Sequence, residues 1–192
     1  MRRLLIPTLA LLSAPALHAQ AISVYGTFTD PHVSGVRNGG AAPNFDTTSF
    51  WAPGFGVGAT LGIVPIGPIR LGFDLRGSSK PGTNGVDTGL AGVKLGIKIP
   101  FVAIKPYVQA SGGYLGTRAK ITTGAPTGGT SRDHFVGYEI FAGADIPIAP
   151  FFDLRAIEIG GGHAYNFSGL NDTAGNYSIN VFTVSTGVVF RF

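Results

Sequence analysis

The stretch 182-FTVSTGVVFRF-192 changes character at every step. Phe182, Val184, Thr186, Val188, Phe190 and Phe192 fall on one face, and Thr183, Ser185, Gly187, Val189 and Arg191 on the other. A repeat of two is the period of a β-strand, whose successive side chains point to opposite sides. The bulky face runs to Phe192 with no polar residue behind it. A chain end frays unless it is tied into a sheet, so this strand needs a neighbour along its backbone and a cover over its apolar face.

The same alternation recurs upstream. In 69-IRLGFDLR-76, Ile69, Leu71, Phe73 and Leu75 oppose Arg70, Gly72, Asp74 and Arg76. In 91-AGVKLGIKI-99, Ala91, Val93, Leu95, Ile97 and Ile99 oppose Gly92, Lys94, Gly96 and Lys98. Beyond the first twenty or so residues no segment has a helical period, and strands are predicted near 21–30, 51–63, 69–77, 87–99, 105–117, 133–146, 152–163 and 177–192, eight in all. Their connections alternate in kind. Those at 64–68, 100–106 and 147–150 are short and bounded by proline, whereas 31–50, 77–86, 118–132 and 164–176 are longer and polar. Short turns at one end and long loops at the other suit an antiparallel up-and-down meander crossing a barrier with two unlike sides.

Composition points the same way. The 192 residues suffice for one domain, yet only 12% are charged, about half the usual share of a soluble domain. The opening MRRLLIPTLALLSAPALHAQA puts two arginines before an apolar run and then small residues, the layout of a secretory signal. Cleavage is expected after Ala19 or Ala21, giving a signal peptide at 1–19 and a barrel domain at 20–192. The run Leu4 to Leu12 is too short to cross a bilayer as a helix. An exported chain without cysteine must be stable without disulfides. Without Arg2 and Arg3 the 14 Lys and Arg become 12 against 10 Asp and Glu, nearly neutral. The basic residues are scattered, with no aromatic-interleaved cluster, which argues against a nucleic-acid partner.

Alternation does not by itself say which face is inside. A soluble barrel turns its apolar face inward and a membrane barrel turns it outward. Four features favour the membrane: a glycine-rich polar face suited to a cramped lumen, aromatic residues near strand ends (Phe50, Trp51, Tyr107, Tyr114, Phe151, Phe152, Tyr165, Phe192), the loop asymmetry, and the last strand itself. A helix over Phe50 to Ile69, twenty positions without a charge, is excluded by its three prolines and five glycines.

With its signal, eight alternating segments and closing TGVVFRF, the chain resembles the small bacterial outer-membrane β-barrel proteins, the group that includes the transmembrane domain of outer-membrane protein A. The resemblance implies an eight-stranded antiparallel up-and-down transmembrane β-barrel with short periplasmic turns and long extracellular loops. It implies that the last strand, through Phe182, Val184, Val188, Phe190 and Phe192, is read by the barrel-assembly machinery, with Thr186 the weaker match. It further implies partners in outer-membrane lipid and lipopolysaccharide and a monomeric state; with nothing extending past the barrel, the periplasmic peptidoglycan-binding domain of the longer family members is expected to be missing.

Chemistry in the sequence is sparse. His32, His134 and His163 are the histidines after the signal. The stretch GGHAYN matches a lipid A deacylase motif at His163 and Asn166, but Tyr165 stands where the nucleophilic serine belongs. Without a hydroxyl beside a base, acyl transfer has no starting point, and Ser168 is an ordinary loop serine. No spacing of His, Cys, Asp or Glu suggests a metal, and no cofactor is expected. The sequons near 166–178 read as loop composition. The informative residues are charges on the expected inner face: Arg70, Asp74, Arg76, Lys94, Lys98, Glu139 and Asp145, joined by Arg155 and Glu158 if a bulge at Ala156–Ile157 resets that strand. They either pair and plug the lumen or line a narrow pore. Glu139 is expected within ion-pair distance of Arg155, Lys94 or Arg70. A non-enzymatic barrel with a structural or surface-interaction role, a narrow channel, and a lipid-modifying enzyme are the three readings.

Overall fold

Strand alternation is realised throughout the computed structural model, which describes residues 22–37, 47–100, 102–120, 129–166 and 177–192. The signal segment, both cleavage candidates, Ser168 and most of the sequon stretch lie outside the described residues. The described strands are β1 (Ile22–Arg37), β2 (Thr47–Trp51), β3 (Gly54–Ile66), β4 (Ile69–Ser79), β5 (Gly85–Ile97), β6 (Lys105–Lys120), β7 (Thr130–Ala149), β8 (Phe152–Asn166) and β9 (Ser178–Arg191). Each pairs antiparallel with the next around the sheet, and β9 pairs with β1 from Ser23↔Arg191 to Ser34↔Asn180. The sheet therefore returns to its first strand, and the Phe192 amide donates to the Ile22 carbonyl at 2.9 Å. The backbone of the last strand has its neighbour.

Nine strands occupy eight positions. Thr29↔Gly54 and His32↔Trp51 lie on one unbroken register, so β2 and β3 are a single strand interrupted where Pro31 and Pro53 lack donors. The Ala52 amide still donates to the Pro31 carbonyl across the gap, at 2.9 Å. This corrects the expected loop at 31–50: β1 runs through Pro31 to Arg37, and the return strand begins at Thr47. Proline removes one donor and need not end a strand. Gly35, at φ 86°, makes a bulge between Ser34 and Val36 in a conformation that costs a side-chain-bearing residue. The turns shorten too. The first is Gly67–Pro68 with Gly67 at φ 59°, and Pro147 lies inside β7.

Outward positions of the turn-proximal half form a belt: Val24, Phe28, Val57, Phe73, Val93, Val108, Ile140, Ile159 and Phe190 are all exposed. A continuous apolar surface of this kind is matched to lipid. Toward the loop end the outer face turns polar at Asp87, Arg118, Arg132, Ser178 and Asn180, and the inner face turns apolar. Val33, Val36, Ala52, Val86, Leu115, Ala119, Phe135, Ala164, Ile179 and Val181 pack there as one buried cluster, with Phe50 and Tyr177 against it. That inner core was not expected from the sequence. It also moves Phe50 from the expected aromatic girdle into the barrel, while Trp51 stays outside, 4.8 Å from His32 and 6.3 Å from Phe182 between ring centres.

Candidate functional site

Among the described residues the strands bring many ionisable groups together in the lumen of the turn-proximal half, and the pleat explains how. Several large inner side chains have a glycine opposite on one neighbouring strand: Gly58 faces Tyr25, Gly143 faces Tyr107, Gly160 faces Phe141, Gly162 faces Glu139 and Gly187 faces Arg155. A β-carbon at Gly143 would stand 2.6 Å from the Tyr107 ring, and one at Gly58 would run into Tyr25. The glycines are the space into which the lumen's side chains fold.

Arg76 is the hub. Its Nε contacts Asp74 Oδ1 at 3.1 Å, Nη1 contacts Glu158 Oε1 at 2.9 Å, and Nη2 donates to Gln109 Oε1 at 2.8 Å. Asp74, wholly buried, also accepts from the Tyr25 hydroxyl at 2.8 Å, Thr60 Oγ1 at 2.7 Å and Gln109 Nε2 at 2.8 Å. Arg155, at 0% exposure, reaches Asp145 at 3.0 Å and Glu158 at 3.5 Å, and its guanidinium stacks 4.3 Å over the Tyr25 ring. Tyr107 donates to Glu158 Oε2 at 2.6 Å, while Lys94 sits 3.6 Å over the Tyr107 ring and 3.3 Å from Asp145. Each of these carboxylates has a cation and at least one further donor, the condition under which burying charge is tolerable. The arrangement crosses the lumen from β1 and β4 to β6, β7 and β8.

The pairing of Arg155 with Glu158 depends on a bulge. Asp145 opposes Arg155 while Ala144 opposes Ile157, so β8 carries one extra residue, Ala156. Against β9 the same surplus shows between Arg155↔Gly187 and Glu158↔Ser185. Without it, residues three apart on a strand would face opposite sides. Thr186 Oγ1, on the outer face, donates to the Arg155 and Ala156 carbonyls at 3.0 and 3.2 Å. The polar residue that interrupts the apolar row of the last strand thus satisfies the bulge.

Three expectations need correction. Glu139 is buried at 4% exposure, but it accepts only from Thr183 Oγ1, at 3.0 Å, and has no cation within ion-pair distance among the described residues. Its partners on the facing strands are Ser111 and Gly162, neither of which is a cation. Arg70 and Lys98 do not join the network; both are exposed at the turn-end mouth, two inward positions along their strands from Asp74 and Lys94. Tyr107 leaves the expected aromatic girdle for the lumen, being 4% exposed. The sequence reading missed Tyr25, Gln109 and Thr60, because it counted only charges, and it missed Lys105 and Arg191, which hold Asp153 at 2.9 Å each.

The histidines stay apart from this network. His163 Nδ1 is hydrogen-bonded to Asn180 Oδ1 at 2.9 Å and its ring meets Tyr165 edge-on at 4.8 Å, while His134 Nδ1 is hydrogen-bonded to the Tyr114 hydroxyl at 2.7 Å. Both lie on the outer wall near the loop end.

By sequence the chain matches no family model and no curated protein. By structure it is similar to Ail, the attachment invasion locus protein of Yersinia pestis, solved with the heparin analogue sucrose octasulfate, at 14% identity and a TM-score of 0.50, over 91% of this chain and 100% of that one. The N-terminal β-barrel domain of Pseudomonas aeruginosa OprF aligns at 12% identity and a TM-score of 0.47, over 90% and 98%. The outer membrane protease OmpT of Escherichia coli aligns at 8% identity and 0.42, over 91% and 97%. With its antiparallel up-and-down sheet, this chain has the fold of the eight-stranded outer-membrane barrels.

Proposed function

We propose that the protein is a non-enzymatic outer-membrane barrel that serves as a closed membrane anchor and presents its loop end to the outside for a structural or surface-interaction role. The observation that supports this reading is the pairing of charges across the lumen, in the Arg76–Asp74–Glu158–Arg155–Asp145 network of the membrane half, together with the Val33–Phe135–Ile179 core beyond it. An eight-stranded barrel has an interior that side chains alone can fill. Its short turns would face the periplasm and its loops the exterior, with lipid and lipopolysaccharide around the belt. A hydrolase reading lacks support: Tyr165 stands beside His163 in place of a nucleophile, and no group of three or more His, Asp or Glu that could hold a metal occurs among the described residues.

Planar-bilayer recording tests this. The native barrel is expected to show no steady conductance, with at most brief flickers. A large, stable, ion-selective current would replace the anchor with the channel reading.

A further inference from the structure

At the turn end the lumen opens into a vestibule of about 310 Å³, floored by Lys94, Tyr107 and Asp145 of the network just described. Five cationic side chains converge on it, Arg70, Lys94, Lys98, Lys105 and Arg191, against two carboxylates, Asp145 and Asp153. The difference, five less two, is an excess of three positive charges around one cavity. Lys94 is taken up by Asp145, and Lys105 and Arg191 share Asp153. Arg70 and Lys98 have no carboxylate within ion-pair distance among the described residues, although their strands place them side by side at the rim, Arg70 opposite Gly96.

The walls are built to leave room. Gly62, Gly72 and Gly96 occupy inward positions beside these cations; a β-carbon at Gly72 would stand 3.0 Å from Thr60, but one at Gly96 would meet nothing nearer than 3.9 Å. A plug that served packing alone would fill the position of Gly96. Arg191 Nε is buried without an acceptor among the described residues, so part of the donor capacity of the rim is unused.

From this cavity and its charge we infer that the vestibule is a binding site for a multiply charged oxyanion of the phosphate class. Two guanidinium forks and three ammonium groups suit an anion with several terminal oxygens. A low-dielectric wall around like charges focuses the field on the opening and raises the local anion concentration. The phosphate can come from a soluble phosphate ester or from the headgroup of an anionic phospholipid in the adjoining leaflet.

Inorganic pyrophosphate is the probe, titrated into the folded full-length barrel in uncharged micelles and followed by amide chemical shifts and calorimetry. Saturable shifts centred on Arg70, Gly96 and Lys98, weakening with added salt, are expected. The double variant Arg70→Gln/Lys98→Gln, whose residues are exposed and outside the ion-pair network, should keep its heat-modifiable folded form and bind at least tenfold more weakly. Arg118→Gln at the loop end should leave binding unchanged. In nanodiscs with phosphatidylglycerol, a headgroup ligand shifts the same amides before pyrophosphate is added and weakens its binding; a soluble ligand leaves both as in phosphatidylcholine discs. Either pattern supports the site. No saturable shift in the native protein, shifts spread equally over Arg118 and Arg132, or undiminished binding by the double variant overturns it.

Discussion

The two halves of this barrel obey opposite solvents. Toward the turns the wall is apolar outside and ionic inside; toward the loops it is polar outside and apolar inside. On β9 the switch is visible along one strand: Val181 and Ile179 face inward where Thr183 and Ser185 do so nearer the turns, while Asn180 takes the outward place that Phe190 and Phe182 hold below. The strand geometry is continuous across the change, so backbone pairing is indifferent to which face is wet. What differs is the work each lumen does. The apolar core gains by removing hydrocarbon from water, whereas the ionic plug must offset desolvation by pairing, with Arg155 Nη2 left without a partner among the described residues. The first tolerates approximate partners and the second does not.

Deleting Ala156 breaks the comparison most severely. Without the bulge, either Asp153 and Arg155 or Glu158 and every inner residue after it turn to the opposite face. Charges would then stand in the belt while the loop-end core, if the slip is absorbed on the turn side, keeps its packing. Loss of the heat-modifiable folded band is expected. A folded band of native intensity would mean the bulge is incidental.

Arg76→Gln comes next. It removes the sole cation that Asp74 has among the described residues and the closer of two cations on Glu158, leaving buried carboxylate charge uncompensated at a cost of about 5 kcal/mol, the upper part of the usual range. Arg155→Gln should cost less, about 3 kcal/mol, since Asp145 retains Lys94 and Glu158 retains Arg76. Denaturant unfolding in micelles ranks the pair; the reverse order would move the hub to Arg155.

Phe135→Ala probes the other half. Phe135 is fully buried and meets Tyr177 edge-on with ring centres 5.4 Å apart. Truncation should cost about 3 kcal/mol through lost transfer energy and a cavity. The loss should not open a conducting path, since the ionic layer below remains closed. Steady current in this variant would show that the apolar core, not the plug, is the seal.

Much of this was legible in the sequence, and the failures have causes. Period-two alternation located the strands except for Thr47 to Phe50, which fell in an expected loop, and the bulge at Ala156–Ile157 could be inferred because Arg155 and Glu158 otherwise point apart. Pro31 and Gly35 misled the reading of β1, since a missing donor and a bulge look like strand ends from the chain alone. Tyr25, Tyr107 and Gln109 were hidden because an aromatic or amide on an alternating strand carries no mark of the face it will serve. For the two tyrosines the glycines opposite, Gly58 and Gly143, were the available signal, readable only once register is known. The loop-end core was hidden by taking one polarity for the whole barrel.

Glu139 is where charge counting failed, and it sets the smallest prediction. The inner-face position suggested an ion pair, and on that basis Glu139→Gln would strand a buried cation. The structure gives it the Thr183 hydroxyl instead, beside a cavity of about 30 Å³ that Thr29 and Ser185 also line. Gln keeps an oxygen to accept from Thr183 and removes a charge that no cation contacts within ion-pair distance among the described residues. Losing one neutral hydrogen-bond geometry costs at most about 1 kcal/mol, and relief of desolvation works the other way. Glu139→Gln is therefore expected to change unfolding free energy by less than about 1 kcal/mol, with any shift toward greater stability. A loss above about 2 kcal/mol would place a cation on this carboxylate and extend the ionic plug upward toward the apolar core.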